Sequence, residues 1–166
     1  MKEKKEILSQ QIIQYKLERL ALEVAENLGN TTEDMVLLGI RKNGFIMANM
    51  VATLIQPYFQ QKIEVNGIAM NKQMPDEIRL DTPIMANGKH ILLIDDVANT
   101  GRTLLYALKP LLQQYPKSIQ TMVLIERMHK LFPVKPDYVG LSIATTLQEH
   151  ITVEMDELQI KGAYLL

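Results

Sequence analysis

The sequence contains no cysteine. That excludes a disulfide framework, a thiolate nucleophile and a cysteine zinc site, and it suits a reducing compartment. No apolar run approaches the ~18 residues a membrane span needs, so no membrane partner is expected. The opening MKEKKEILSQQ carries charge but runs into polar residues instead of an apolar segment, so the chain is read as cytoplasmic with no signal peptide. An excess of one charge is missing as well. With 18 basic and 19 acidic side chains the formal net charge is −1, and no overall positive field would draw the protein to nucleic acid. Neither GxGxxG nor GxxxxGK followed by Ser or Thr occurs, which sets aside the dinucleotide and P-loop readings. The histidines His90, His129 and His150 are scattered and show no metal-ligand spacing.

What remains is ordinary globular material: 47% hydrophobic and 22% charged residues. The 166 residues suit one domain, residues 1–166, able to bury about two-thirds of the surface its unfolded form exposes. Ten methionines read as core filler.

Apolar residues recur at three- and four-residue spacing over residues 7–28, predicting an amphipathic helix closed by Gly29-Asn30. MVLLGI, residues 35–40, is a short apolar run of the buried-strand kind, and Asn43-Gly44 opens a second helix reaching about Tyr58. Further strands are expected at 62–69, 91–94, 121–126 and 138–143, and a helix at 101–114. Residues 71–89 carry two prolines, mixed charge and no period, and read as a mobile loop. Strands alternating with helices predict an α/β fold with a mostly parallel central sheet flanked by helices.

Ligands in such sheets bind beyond the carboxyl ends of the strands. ILLIDDVANTGRT, residues 91–103, falls at one of those ends. Asp95 and Asp96 are expected at the strand exit, and Thr100, Gly101, Arg102 and Thr103 at the start of a helix. Backbone N–H groups, two hydroxyls and a glycine make that turn a phosphate cradle. An isolated Asp-Asp would read as a helix cap. A strand before it and TGRT after it point instead to a ligand with vicinal hydroxyls at one end and a phosphate at the other, as in ribose 5-phosphate.

ILLIDDVANTGRT closely resembles the signature with which type I phosphoribosyltransferases bind 5-phosphoribosyl pyrophosphate (PRPP), and the likeness covers most of the chain. The resemblance implies that fold, with a small hood region. It implies that Asp95 and Asp96 hold the ribose and that Ala98, Asn99, Thr100, Gly101, Arg102 and Thr103 hold the 5-phosphate. Arg41, Lys42, Asn43 and Gly44 look like the family's pyrophosphate loop, with Lys42-Asn43 the candidate for a non-proline cis peptide. LIERMHKLFPVKPDYVGLSI, residues 124–143, resembles a nucleobase region. By that likeness Tyr138 stacks on the base, the Val139 backbone reads its edge, and Glu126 and Arg127 lie beside it. Lys72, with Arg79, is the catalytic phosphate contact expected on the 71–89 loop, which would close over the site. Magnesium, bound mainly through PRPP, is the implied cofactor.

Hypoxanthine-guanine enzymes usually carry an aspartate at Asn99 and a lysine at Glu126, so a 6-oxopurine is disfavoured. VLIERMHKLFPVKPDYVG, LLGIRKNGFIMA and VEMDEL most resemble the bifunctional pyrimidine operon regulator/uracil phosphoribosyltransferase group. Uracil is therefore the expected base, and a homo-oligomer, dimer or tetramer, the expected assembly. The chain departs from that group at Asn43, where an arginine is usual, and at Asn71-Lys72, where a tyrosine-arginine pair is usual. An RNA-binding regulator using the fold as a nucleotide sensor is the competing reading. The charge balance disfavours it, since RNA affinity rests on phosphate neutralisation.

Overall fold

A computed structural model describes residues 4–71, 78–146 and 148–166. Its centre is set by strand β2, Met35–Ile40, buried at all six positions. A strand covered on both faces has no need to alternate, which is why MVLLGI is continuously apolar. β2 lies between β3, Ile63–Met70, and β5, His90–Ala98, parallel to both. β6, Ser118–Arg127, and β7, Tyr138–Ile143, continue the parallel run beyond β5, and β4, Ile78–Leu80, pairs antiparallel with β3 at the other edge. The order is β4-β3-β2-β5-β6-β7.

Helices α1, Gln10–Leu28, and α2, Arg41–Ile55, cover one face. Leu17, Leu20 and Val24 of α1 are fully buried there with Leu37, Leu92 and Leu124 of the sheet, each worth roughly 1.5–3 kcal/mol in water-to-core transfer. The opposite face packs Val36, Leu38 and Leu93 against Leu104 and Ala107 of α3, Arg102–Ala107, together with Ile84 and Ala86. A separate antiparallel sheet, β1-β9-β8, combines Lys5–Ser9, Ile160–Leu165 and Ile151–Met155. It forms the hood, and Val153, Ile160 and Ala163 join its inner side to the α1/α2 core.

Several boundaries differ from the sequence expectation. The first helix starts at Gln10, not residue 7, because residues 5–9 form β1; the Ser9 hydroxyl accepts the Ile12 N–H as its N-cap. The second helix starts at Arg41, directly after β2 with no intervening loop. Expected to reach 114, α3 stops at Ala107, and Lys109–Leu111 is a 3-10 turn holding Pro110, which has no N–H to continue an α-helix. The expected 71–89 loop contains β4 and the buried Ile84 and Ala86, and residues 72–77 lie outside the described set.

Candidate active site

In chain order the parallel strands run β2, β3, β5, β6, β7, whereas in the sheet β2 separates β3 from β5. The winding direction therefore reverses between β2 and β5, and a crevice opens where their carboxyl ends part. A cleft of about 410 Å³ occupies that crevice. Arg41, Lys42 and Asn43 form one wall, Asp95, Asp96 and Asn99 another, and Ile151, Thr152 and Val153 of the hood a third. A smaller pocket adjoins it along residues 98–104, and Arg41, Asp95, Val97 and Asn99 line both. The two together form an elongated site with the acidic pair at its middle.

The acidic pair lies inside β5 rather than beyond it, since the strand runs on to Ala98. Successive strand residues face opposite sides, so the two carboxylates have different surroundings. Asp95 is 1% exposed; its Oδ1 accepts the Asp96 N–H at 3.0 Å, and its Oδ2 has no hydrogen-bond partner. Burial first and the neighbouring Asp96 charge second push its pKa well above the usual carboxylate range; Arg41, with Nη2 3.8 Å away, opposes the shift. Asp96 is partly exposed and accepts the Asn43 Nδ2–H at 2.7 Å. The same amide lies 3.4 Å from the Val153 carbonyl of the hood.

Arg41 has φ 57°, in the left-handed region that side chains other than glycine rarely adopt. No cis peptide occurs among the described residues, so the expected Lys42-Asn43 bond is trans and the unusual backbone sits one residue earlier. Gly44 lets α2 settle onto the sheet, because a Cβ there would lie 2.5 Å from the Ile94 carbonyl oxygen.

The TGRT turn lines the smaller pocket. Gly101 has φ 85°, and a Cβ on it would crowd the carbonyls of Val134 and Phe132 at 3.1 and 3.2 Å. The Thr100 carbonyl accepts the N–H groups of both Leu131 and Phe132 at 3.0 Å, tying the turn to the segment after β6. The Thr100 hydroxyl accepts from the Arg102 N–H at 3.3 Å, and no side chain caps α3.

Residues 3–158 match the phosphoribosyl transferase domain family. The chain belongs to the type I phosphoribosyltransferases. It is similar to the "Bifunctional protein PyrR" of Clostridium novyi, with 31% identity covering 95% of this chain and 93% of the relative. The protein of that name from Clostridium kluyveri is 34% identical over 95% and 94% of the two chains. Among solved structures, the hypoxanthine phosphoribosyltransferase of Trypanosoma cruzi superposes with a TM-score of 0.74 at 20% identity, covering 84% of this chain and 82% of that one. The corresponding Staphylococcus aureus enzyme gives 0.73 at 18%, covering 91% and 81%. At such identities the structures show a shared fold.

This phosphoribosyltransferase brings together most of the expected site residues. Asp95, Asp96, Arg41, Lys42, Asn43 and Asn99 meet in the larger cleft, and Ala98 to Thr103 line the smaller one. Gly44 is buried beneath the cleft. Lys72 lies outside the described residues, and Arg79 is on β4. The nucleobase set is where structure and sequence part. Tyr138 begins β7 level with Met122 of β6, which is itself level with Ile94 of β5, and its ring is buried in the core beneath α1 and α2. It is 3% exposed, with its hydroxyl donating to Gln120 Oε1 and accepting from Asn27 Nδ2. Neither it nor Val139, whose carbonyl accepts from Arg19 at 3.4 Å, lines either of these two clefts. Glu126 and Arg127 end β6 and are turned to other partners. Glu126 accepts from the Ser142 hydroxyl at 2.7 Å and pairs with Lys130 at 3.4 Å, and Arg127 donates to the Thr146 carbonyl. The sequence reading missed Ile151 to Val153, the hood wall. The alternation of ITVEM, with Val153 buried between exposed neighbours, was the available signal.

Proposed function

We propose that the protein transfers a nucleobase, uracil in the leading reading, to the ribose 5-phosphate of PRPP with release of pyrophosphate, and that residues 1–166 act as one catalytic unit. The observation that carries this is the pair of adjoining clefts sharing Arg41 and Asp95. One polyanionic ligand can lie along both, with its 5-phosphate in the TGRT pocket, its ribose hydroxyls over Asp95 and Asp96, and its pyrophosphate toward Arg41, Lys42 and the α2 N-terminus. The unpartnered Asp95 Oδ2 suits a hydroxyl donor, since a buried acceptor without a partner is costly until a ligand supplies one.

Among the described residues no group of three or more His, Cys, Asp or Glu side chains could hold a metal ion. Magnesium, carried in with PRPP, would neutralise the pyrophosphate charge beside Arg41 and Lys42, with Asp95 and Asp96 the nearest carboxylates. The reaction breaks the C1–oxygen bond to pyrophosphate and joins C1 to a base nitrogen as positive charge builds on the sugar. Asp95 and Asp96 lie under that charge, Arg41 and Lys42 receive the leaving group, and the hood keeps water from the reacting face.

In this reading the base rests against β8. β8 is an edge strand of the hood sheet, so one row of its backbone N–H and C=O groups has no strand partner and can read the edge of a planar ring, with Ile151 and Val153 as the apolar wall. Asn99 and Glu126, where purine enzymes usually carry aspartate and lysine, are the support for a pyrimidine. The test is to incubate the protein with PRPP, magnesium and each common base and to measure pyrophosphate release. Release with uracil alone supports the reading; release with none overturns it.

The relatives' name states two functions, which keeps the RNA-binding regulator as the second reading. Filter binding of a pyrimidine-leader RNA, with and without UMP, tests it. Binding that weakens with salt and responds to UMP would support it.

A further inference from the structure

Asn43 occupies the position where this chain departs from the relatives' arginine, and its side chain joins two parts of the cleft. Its Nδ2 lies 2.7 Å from Asp96 Oδ2 and 3.4 Å from the Val153 carbonyl. Asp96 belongs to the main sheet, whereas Val153 belongs to the hood, on the edge strand that lines the cleft. Asp96's other oxygen accepts the Val97 N–H at 2.9 Å, so with the amide both carboxylate oxygens are held. Resting on the phosphoribosyltransferase reading, we propose that Asn43 is a positioning residue: its amide fixes the carboxylate that meets the ribose and ties the base-side wall of the hood to it. Ribose and base sites are then aligned through one side chain. An amide is suited to this because it donates two hydrogens in a plane and brings no charge beside Asp95 and Asp96.

The test compares the full chain with Asn43→Ala, Asn43→Asp and Asn43→Arg. Asn43→Ala is expected to raise KM for both PRPP and the base on the order of tenfold, the loss of one hydrogen bond to a charged acceptor, with Tm nearly unchanged. Asn43→Asp keeps the shape but loses the donor and sets two carboxylates together. Its PRPP affinity should be poor at about pH 8 and recover toward wild type at about pH 5.5, where one shared proton replaces the amide hydrogen. Asn43→Ala should show no such recovery, and Asn43→Arg should restore the Asp96 contact and lower KM for PRPP. Wild-type constants in Asn43→Ala, or an acid-independent loss in Asn43→Asp, would overturn the proposal.

Hydrogen exchange on the same variants separates it from the wider reading, since it needs no activity. In Asn43→Ala the β8 amides should exchange faster while those of β2 do not change. Unchanged β8 exchange overturns the tether, whereas a wild-type protein that releases no pyrophosphate overturns the phosphoribosyltransferase reading alone.

Discussion

The Arg41 guanidinium stands 3.8 Å from Asp95 Oδ2, an oxygen that is buried and accepts no hydrogen bond. Arg41 directly follows β2 and Asp95 lies within the carboxyl half of the adjacent β5, at the point where the sheet reverses its winding. Each is costly to the free protein. Asp95 is a desolvated carboxyl, and Arg41 holds a left-handed backbone. Both costs fall at the place where a ligand with hydroxyls and phosphates would repay them.

Replacing Asp95 with Asn should therefore stabilise the free protein while destroying PRPP affinity. Because the folded pKa of Asp95 is raised, the native state holds more protons than the unfolded state above the ordinary value of 3.8, and stability declines as pH rises through that window. Removing the charge should raise Tm at neutral pH by about 2–4 °C for each kcal/mol recovered. The gain should vanish near pH 4. Thermal scans across pH, with calorimetric titration of PRPP, check both halves. A Tm gain that persists undiminished at pH 4 would speak against this origin.

Arg41→Gly and Arg41→Ala remove the same guanidinium but differ in backbone freedom. Glycine adopts φ 57° without a Cβ penalty, so Arg41→Gly should be the more stable of the two by about 1 kcal/mol. PRPP affinity should fall in both. Denaturant melts give the stability order. Equal stability would mean that the left-handed conformation relaxes.

Tyr138→Phe tests whether this buried ring takes part in holding the base. The hydroxyl links Gln120 and Asn27 inside the core, so its loss should cost about 1 kcal/mol of stability. KM for the base should not move. A raised KM would return this residue to the base site.

At the amino end of the strands, His90 bridges Ser118 Oγ at 2.7 Å and Thr31 Oγ1 at 2.8 Å. Burial lowers its pKa below 6.5 against the pull of Glu33. The unfolded chain then takes up a proton that the folded one resists, and stability should fall as pH drops below about 6.5. Glu33 and Asp156, both held at about 2 by hydrogen bonds from Thr31 and Lys161 respectively, lose their contributions lower, below the ordinary carboxylate values. His90→Gln should flatten the upper step and leave the lower one, as read from urea melts between pH 7.5 and 3.

The sequence was most readable where burial on both faces left one pattern possible. β2 and β7 have the bounds expected of them, and ILLIDDVANTGRT spans the carboxyl end of a strand and the start of a helix, lining both clefts. It was least readable in short elements that owe their existence to distant partners: β4, with three residues, and the strands of the hood. Misplacing Tyr138 had another cause. An aromatic ring in PDYVG reads as a base platform, but the side chain of Tyr138 points into the core, where its hydroxyl is held by Asn27 and Gln120. The face of the strand outweighed side-chain type.

The hood strands come from opposite ends of the described chain: Lys5 stands opposite Leu165, and Ile151 opposite Leu165 on its other side. Closing the long loop between β1 and β9 is entropically expensive, so that pairing belongs to the late phase of folding, whereas β8 and β9 form a local hairpin. The main sheet can be complete while the wall against which a base would rest is still unmade. A chain emerging residue by residue would thus make the β2 and β5 walls of the cleft first and the hood that closes its third side last.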